Sequence, residues 1–374
     1  MKICKKCIQP DTRPGIYFDN KGICGACLWE EEKKNIDWKE RYRELENIAK
    51  DAKNNSGNYD CVIGVSGGKD STRQAITARD QLGLRCLLVN SEPSGLTKLG
   101  KENIENLKNL GFDVISLRAN PKIMKKLIRR DFFKYLNPVK VTEYSLWAST
   151  YIIAEKFDIP LIIQGENPGL TLGVRNTGVG TDSNALKANE LNTISDDWRD
   201  YLEVQGVSEQ DLYFYHYDRQ ELEKNNVKGI WLNYFLKDFT NHENAIFSKK
   251  YGLKWRTDDF DHESIGTYSP YFQLDTDLTQ VNQLLKFIKF GFGQCMDHVC
   301  YDIRENRISR KEGIELVLKL DGKCSKKYIE KFSNYIEISQ EEFWNTVEKF
   351  RGENVWERDE NGKWKNKIHQ LLQE

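Results

Sequence analysis

The chain has 374 residues, with 56 Lys and Arg against 57 Asp and Glu for a formal net charge of -1. That length can bury a large core and predicts one large domain with smaller attachments, and the near balance of charge argues against a surface that coats nucleic acid. No apolar run approaches the roughly 18 residues of a membrane span, and Met1-Lys2-Ile3-Cys4 lacks the apolar stretch of a signal peptide, so the expectation is a cytoplasmic protein with no membrane partner.

The first segment holds four of the nine cysteines. Cys4-x-x-Cys7 and Cys24-x-x-Cys27 stand sixteen residues apart, a spacing that suits a tetrahedral four-thiolate zinc site on two knuckles. Pro10, Pro14, Gly15, Gly22 and Gly25 supply turns between them. A redox pair and reduced structural thiols are the competing readings. Residues 29–52 are highly charged, with Leu45, Ile48 and Ala49 at helical spacing, which predicts one amphipathic linker helix. A loop, K-N-N-S-G-N at 53–58, precedes the core.

The next stretch, Tyr59 to Gln74, organises the rest. The apolar run Cys61 to Val65 breaks into Ser66-Gly67-Gly68-Lys69-Asp70-Ser71 and then into residues suited to a helix. This is the strand, tight loop, helix order of a phosphate-binding turn. Two glycines let backbone N–H groups face an anion, and the helix N-terminus, Lys69 and the Ser66 and Ser71 hydroxyls add positive charge and donors. A Walker A loop would need glycine where Ile63 stands and Ser or Thr where Asp70 stands, so it is excluded.

Strands at 60–65, 85–90, 113–118 and 160–164 alternate with helices at 70–82, 99–110, 121–136 and 143–157. Such alternation predicts an α/β, doubly wound, mostly parallel sheet with ligands at the carboxyl ends of its strands. Cys61 and Cys86 fall in the strands and read as buried small hydrophobes. Two further loops are thereby marked: Asn90-Ser91-Glu92, and Gly165-Glu166-Asn167-Pro168-Gly169. Lys122, Lys125, Lys126, Arg129, Arg130 and Lys134 form a charged helix face, read as solvated in preference to an RNA patch.

Residues 170–197 are dense in Asn, Thr, Asp and Gly, short donors and acceptors of the kind sugar hydroxyls and amides require. Asn167, Arg175, Asp182, Asn184, Asn189 and Asn192 are the candidate substrate contacts, against the alternative of an elaborate surface loop. Trp231, Tyr234, Phe235, Phe239, Phe247, Tyr251 and Trp255 read as core. The C-terminal third is helical, with an apolar helix at 281–290 and capping boxes at Ser309-x-x-Glu312 and Ser339-x-x-Glu342, the latter flanked by the staple pair Ile338 and Phe343. The division expected is 1–52, cysteine ribbon and linker; 53–280, nucleotide domain with substrate insertion; and 281–374, helical region.

Ser66 to Ser71 resembles the PP-loop, S-G-G-x-D-S, of the ATP pyrophosphatases, which include GMP synthetase, NAD synthetase, asparagine synthetase and tRNA thiolases. The resemblance implies an adenine nucleotide alpha hydrolase-like fold and cleavage of ATP between its α and β phosphates, with Ser66, Gly67, Gly68, Lys69, Asp70 and Ser71 holding pyrophosphate and Asn90 and Gly165 near the nucleotide. A narrower resemblance covers nearly the whole chain. C-x-x-C-x-x-P-x-T-R-P-G (Cys4 to Gly15), G-E-N-P-G (Gly165 to Gly169), D-S-N-A-L-x-x-N-x-L-N-T (Asp182 to Thr193), and F-G-F-G, D-I-R and I-S-R-x-E (between Phe290 and Glu312) are similar to the N-acetyl sugar amidotransferases. It implies conversion of a sugar N-acetyl group to acetamidino in lipopolysaccharide O-antigen or nonulosonic acid synthesis. It also implies ammonia from a separate glutaminase and a cyclase-like subunit akin to those of histidine biosynthesis. It assigns no role to Cys295, Cys300 or Cys324.

The chemistry asks for ATP, Mg2+ and structural Zn2+. An amide oxygen is a poor leaving group until adenylylated, after which ammonia displaces AMP. Lys69 would offset charge on pyrophosphate, Asp70 would orient the loop or the metal, and Glu166 would bind metal or take a proton from ammonia. A tRNA-modifying thiolase or lysidine-type enzyme shares the PP-loop and is the competing reading. Gly293-Gln294-Cys295-Met296-Asp297 falls short of a nucleophile elbow by its last glycine, and Lys2 replaces the cysteine that an N-terminal glutaminase needs.

Overall fold

The computed structural model describes residues 1–175, 180–188 and 197–374. The cysteine segment leads into α1 (Gly25–Glu32) and α2 (Trp38–Asn55). The core then runs β1 (Cys61–Gly64), α3 (Lys69–Ile76), β2 (Cys86–Ser91), α4 (Lys98–Asn109), β3 (Asp113–Leu117), α5 (Pro121–Tyr135), α6 (Lys140–Lys156) and β4 (Leu161–Gln164). After α7 (Pro168–Thr171) and α8 (Arg219–Lys224) come β5 (Lys228–Trp231), α9 (Asn241–Lys250) and α10 (His262–Ile265). The remainder is α11 (Leu278–Phe290), α12 (Gln294–Arg304), α13 (Arg310–Leu320), α14 (Lys326–Tyr335), α15 (Gln340–Glu348), the hairpin β6 (Trp356–Arg358) and β7 (Trp364–Asn366), and α16 (Lys367–Gln373).

The five core strands are all parallel, in the order β3-β2-β1-β4-β5. The chain steps outward from β1 to β3, then returns through α5 and α6 to place β4 on the other side of β1. The direction of winding therefore reverses between β1 and β4, and the crevice at their carboxyl ends is where such sheets bind ligands. Side chains alternate between faces as the strand period requires. Cys61, Ile63, Leu88 and Ile163 pack with Leu45 and Ala49 of α2 and Ile76 of α3. Val62, Leu87, Val89 and Ile162 pack on the other face with Ala148 and Tyr151 of α6.

The predicted helix at 70–82 ends in a wider turn over Thr77–Gln81, where Leu82 N donates to Thr77 O. The linker expected at 29–52 is two helices, because Asp37 caps α2 by accepting from Lys39 N and Glu40 N and so ends the preceding turn. Trp231, Phe235 and Phe239 are buried as expected. The Ser309 capping box is reciprocal, whereas Ser339 makes the forward bond to Glu342 N; Ile338 and Phe343 share one buried cluster. The basic face of α5 is ion-paired, Arg130 with Glu203 at 2.6 Å, Lys134 with Glu203 at 3.1 Å, Arg129 with Glu342 at 3.6 Å, and Lys125 with Glu337. No helix among the described residues is long and apolar enough to cross a membrane.

Candidate active site and cysteine centre

The loop between β1 and α3 sits at the point of reversal. Gly67 takes φ +75°, and a Cβ there would stand 3.1 Å from the Ile104 backbone N, so glycine is required both by conformation and by the approach of α4. Gly68 is the N-cap of α3, placing Lys69, Asp70 and Ser71 in its first turn, where backbone N–H groups have no intrahelical partner. Asn90, at the end of β2, is buried and donates through Nδ2 to Val65 O at 2.8 Å. It braces the strand that enters the loop. Lys69 O accepts from Ser248 Oγ at 2.7 Å and Asp70 Oδ1 from Asn244 Nδ2 at 2.8 Å, so α9 fixes the loop from behind.

A strap at 267–275 crosses in front of the loop. Tyr271 to Asp275 line the small cavity that Ser66, Gly68, Lys69 and Asp70 line from the other side. Arg256 holds the strap by donating to Phe272 O at 2.6 Å and Gln273 O at 2.8 Å. The Phe272 ring stacks on His298 at 3.8 Å and lies 4.3 Å from Lys69 Nζ, which also bonds Asp70 Oδ2. Burial drives His298 down to about 3, so it is a neutral ring, with Nδ1 on the Thr267 hydroxyl. None of these strap residues was marked in the sequence, because nothing local distinguishes them.

From β4 the chain enters Gly165 to Gly169. A Cβ on Gly165 would lie 2.6 Å from Gln74 Nε2, which explains the glycine. Glu166 is half-buried. Its carboxyl is pushed up to about 7, chiefly by burial, then by the charges of Asp70 and Glu305, with Lys69 and Arg304 acting in the opposite direction. Asn167 is fully buried: Nδ2 donates to Gly180 O and Asp182 O, each at 2.9 Å, Oδ1 accepts from Gly169 N at 2.8 Å, and its own N donates to Asn233 Oδ1. It ties the Glu166 loop to the segment at 180–182.

That segment runs along the outer edge of β5, where Trp231 N donates to Ser183 O and Ala185 N to Gly229 O. Asp182 is exposed, with Oδ1 accepting from Asn184 N; Asn184 Oδ1 accepts from Leu186 N. Arg175 lies over the Tyr17 ring at 3.5 Å and pairs by its backbone with Gly15. Asn189 and Asn192 lie outside the described residues.

The four N-terminal thiols converge. Cys4, Cys7, Cys24 and Cys27 are buried with their sulfurs all within 4.8 Å of one another, Cys4 to Cys27 at 3.8 Å and Cys7 to Cys24 at 3.6 Å. A tetrahedron with Zn–S bonds of about 2.3 Å has edges of roughly 3.8 Å, so the donor set fits zinc. Hydrogen bonds from Cys24 and Cys27 hold the Cys4 thiol down to about 6. The α12 helix meets this centre: Arg304 Nη1 is 3.7 Å from Cys7 Sγ, and Cys300 Sγ donates to Cys7 O. Arg304 Nη2 also reaches Thr171 O at 3.4 Å, so one buried guanidinium bridges the thiols and the helix that follows the Glu166 loop. Cys295 is buried in the cluster that packs the thiols against α12 and α13, and burial raises its thiol well above the ordinary range.

Residues 265–370 match the family model described as LPS biosynthesis protein WbpG-like, C-terminal domain. The match covers the strap and α12 as well as the helices beyond. An uncharacterized protein of Methanocaldococcus jannaschii is 29% identical over 110 residues, 29% of this chain. The chain spans 38% of that curated relative's own length. Among solved structures, NMN synthetase from Francisella tularensis aligns with a TM-score of 0.31 and 15% identity over 60% of this chain and 100% of that chain, too low a score to carry an argument. The loop of Ser66 to Asp70 and a strap inside the segment matched by that family model thus line one cavity.

Proposed function

We propose that this chain is an ATP-dependent amidotransferase that converts a sugar N-acetyl group to acetamidino in surface polysaccharide synthesis. The observation that carries the proposal is the placement of the Glu166 carboxyl, held near neutrality, against Lys69 and Asp70 of the PP-loop, beneath a domain of LPS biosynthesis proteins. In the first step the acetamido oxygen attacks the α-phosphorus of ATP, forming a C–O–P linkage and expelling pyrophosphate. Gly67, Gly68 and the first turn of α3 receive the β and γ phosphates, and Lys69 leaves Phe272 and Asp70 to offset their charge. Magnesium, when bound, neutralises the triphosphate, with Asp70 as the carboxylate that would hold it. In the second step ammonia adds to the imidate carbon, Glu166 takes one proton from the new C–N centre, and the C–O bond to AMP breaks to leave the amidinium.

The strap excludes water that would hydrolyse the imidate. Ammonia arrives in this proposal from a separate glutaminase and cyclase-like subunit; the buried, raised thiol of Cys295 supports that division of labour. The ion pairing of the α5 basic face leaves little support for tRNA as substrate. The test is incubation with ATP, Mg2+, ammonium salt and a panel of N-acetylated sugars, free and nucleotide-linked, followed by phosphorus NMR and mass spectrometry. AMP, pyrophosphate and an O-for-NH exchange in the sugar are expected. ADP and orthophosphate as products would refute it.

A further inference from the structure

A second cavity lies behind Glu166, between α1, α12 and the residues that follow β5. Its walls include Trp29, Leu236 and Phe239, and its polar lining includes Glu166, Asn233 and Glu305. Its free volume is about 30 Å3. One water-sized molecule needs at least about 10 to 15 Å3, so the space takes one or two such molecules and no sugar ring. Glu166 marks the end nearest the PP-loop, since it faces Lys69 and Asp70. Glu305 marks the other end, facing Glu30 of α1 and Lys33 just beyond it.

Asn233 decides which small molecule fits. It is 5% exposed, and its Oδ1 is committed to the Asn167 backbone N at 3.0 Å, which fixes the amide orientation. Its Nδ2 is buried with no partner among the described residues. A buried, unpaired donor costs about 1 to 3 kcal/mol unless an acceptor arrives. The ligand must therefore accept one hydrogen bond and also donate to the carboxylates of Glu166 and Glu305. Ammonium has no lone pair to offer; neutral ammonia, like the water it would displace, can accept from Asn233 and still donate to both carboxylates. Arg304 and Tyr301 close the remaining wall, and Lys33, paired with Glu30 at 3.2 Å, also lines the cavity.

We propose that this cavity is the ammonia site, entered past Glu305, with Asn233 selecting the neutral molecule and Glu166 standing between it and the nucleotide. The proposal rests on the amidotransferase reading for its purpose, but the cavity can be tested without turnover. Melting temperature is measured for the full-length protein in ammonium chloride and in tetramethylammonium chloride at equal ionic strength, over a rising pH series. Wild type should be stabilised by ammonium alone, increasingly as the neutral fraction grows. Asn233→Asp keeps the acceptor for Asn167 and removes the donor, so its ammonium-specific shift should no longer grow with pH. In turnover, its KM for ammonia should rise about tenfold, the effect of one lost hydrogen bond, with KM for ATP unchanged. Equal melting in the two salts for wild type would overturn the site. An ammonium-specific shift with no amidine from any N-acetyl sugar would leave the cavity standing and overturn the functional reading. Amidine formation with an unaltered ammonia KM in Asn233→Asp would overturn the role of Asn233.

Discussion

Asn167 is a candidate substrate contact by sequence, and in the structure both its Nδ2 and its Oδ1 are hydrogen-bonded within the protein. Asn167→Ala removes two donations, to Gly180 O and Asp182 O at 2.9 Å, and one acceptance from Gly169 N at 2.8 Å, from a fully buried position. At a net value of about 1 kcal/mol each, the loss is about 3 kcal/mol. Asn167→Asp keeps the bond from Gly169 but sets a carboxylate oxygen against two carbonyl oxygens. A carboxyl in that setting is easier to protonate folded than unfolded, so this variant should be worst at neutral pH and recover stability as pH falls. Urea unfolding at two pH values reads both effects. Because Glu166 is the next residue, loosening the loop should lower kcat on the order of 100-fold, as for a misplaced catalytic group. An alanine variant within about 0.5 kcal/mol of wild type, or a raised sugar KM at unchanged kcat, would refute this account and make Asn167 a substrate contact.

Metal analysis should find about one zinc per chain, and Cys7→Ser should lose it and expose the α12 interface, seen as a lower melting temperature; full zinc retention would exclude Cys7 as a ligand. Lys69→Ala and Asp70→Ala should abolish pyrophosphate release while leaving far-UV circular dichroism unchanged, and persistent turnover in either would remove that residue from the mechanism. For Glu166, whose folded carboxyl is pushed up to about 7, rates at a fixed concentration of neutral ammonia should rise with pH through neutrality and become flat in Glu166→Gln. The sign for stability is opposite: a carboxyl raised on folding favours the protonated folded state, so wild type loses stability as pH climbs from the unfolded value toward 7. Glu166→Gln should therefore melt above wild type at alkaline pH and level with it in acid, and a constant difference would show that Glu166 is not raised.

Strands β1 to β4 and helices α3 to α6 are legible in the sequence from their apolar runs and the breaks between them, and α4 and α5 add side-chain caps at Thr97 and Asn120. The turn from Ser66 to Ser71 and the four converging cysteines are legible because their geometry is set by residues close along the chain. What escapes is assembled at a distance. β5 is four residues, Lys228–Trp231, within an aromatic-rich stretch, and becomes a strand only because β4 offers it an edge. Phe272 and His298 gain meaning only when Arg256 draws the strap over Lys69. Asn233 carries no motif at all; its importance is an unpaired nitrogen that appears once burial is known.

The strap over Lys69 also bears on how this protein can be taken apart or recombined. One wall of the cavity at the loop comes from Ser66, Gly68, Lys69 and Asp70, and the facing wall from 271–275, inside the segment matched by the C-terminal family model. A chimera that imports residues 265–370 from a relative keeps the sheet, but its lid is then foreign to its loop. Such hybrids would report on donor and recipient compatibility through a single contact, whether the incoming ring at 272 still settles on the resident lysine at 69.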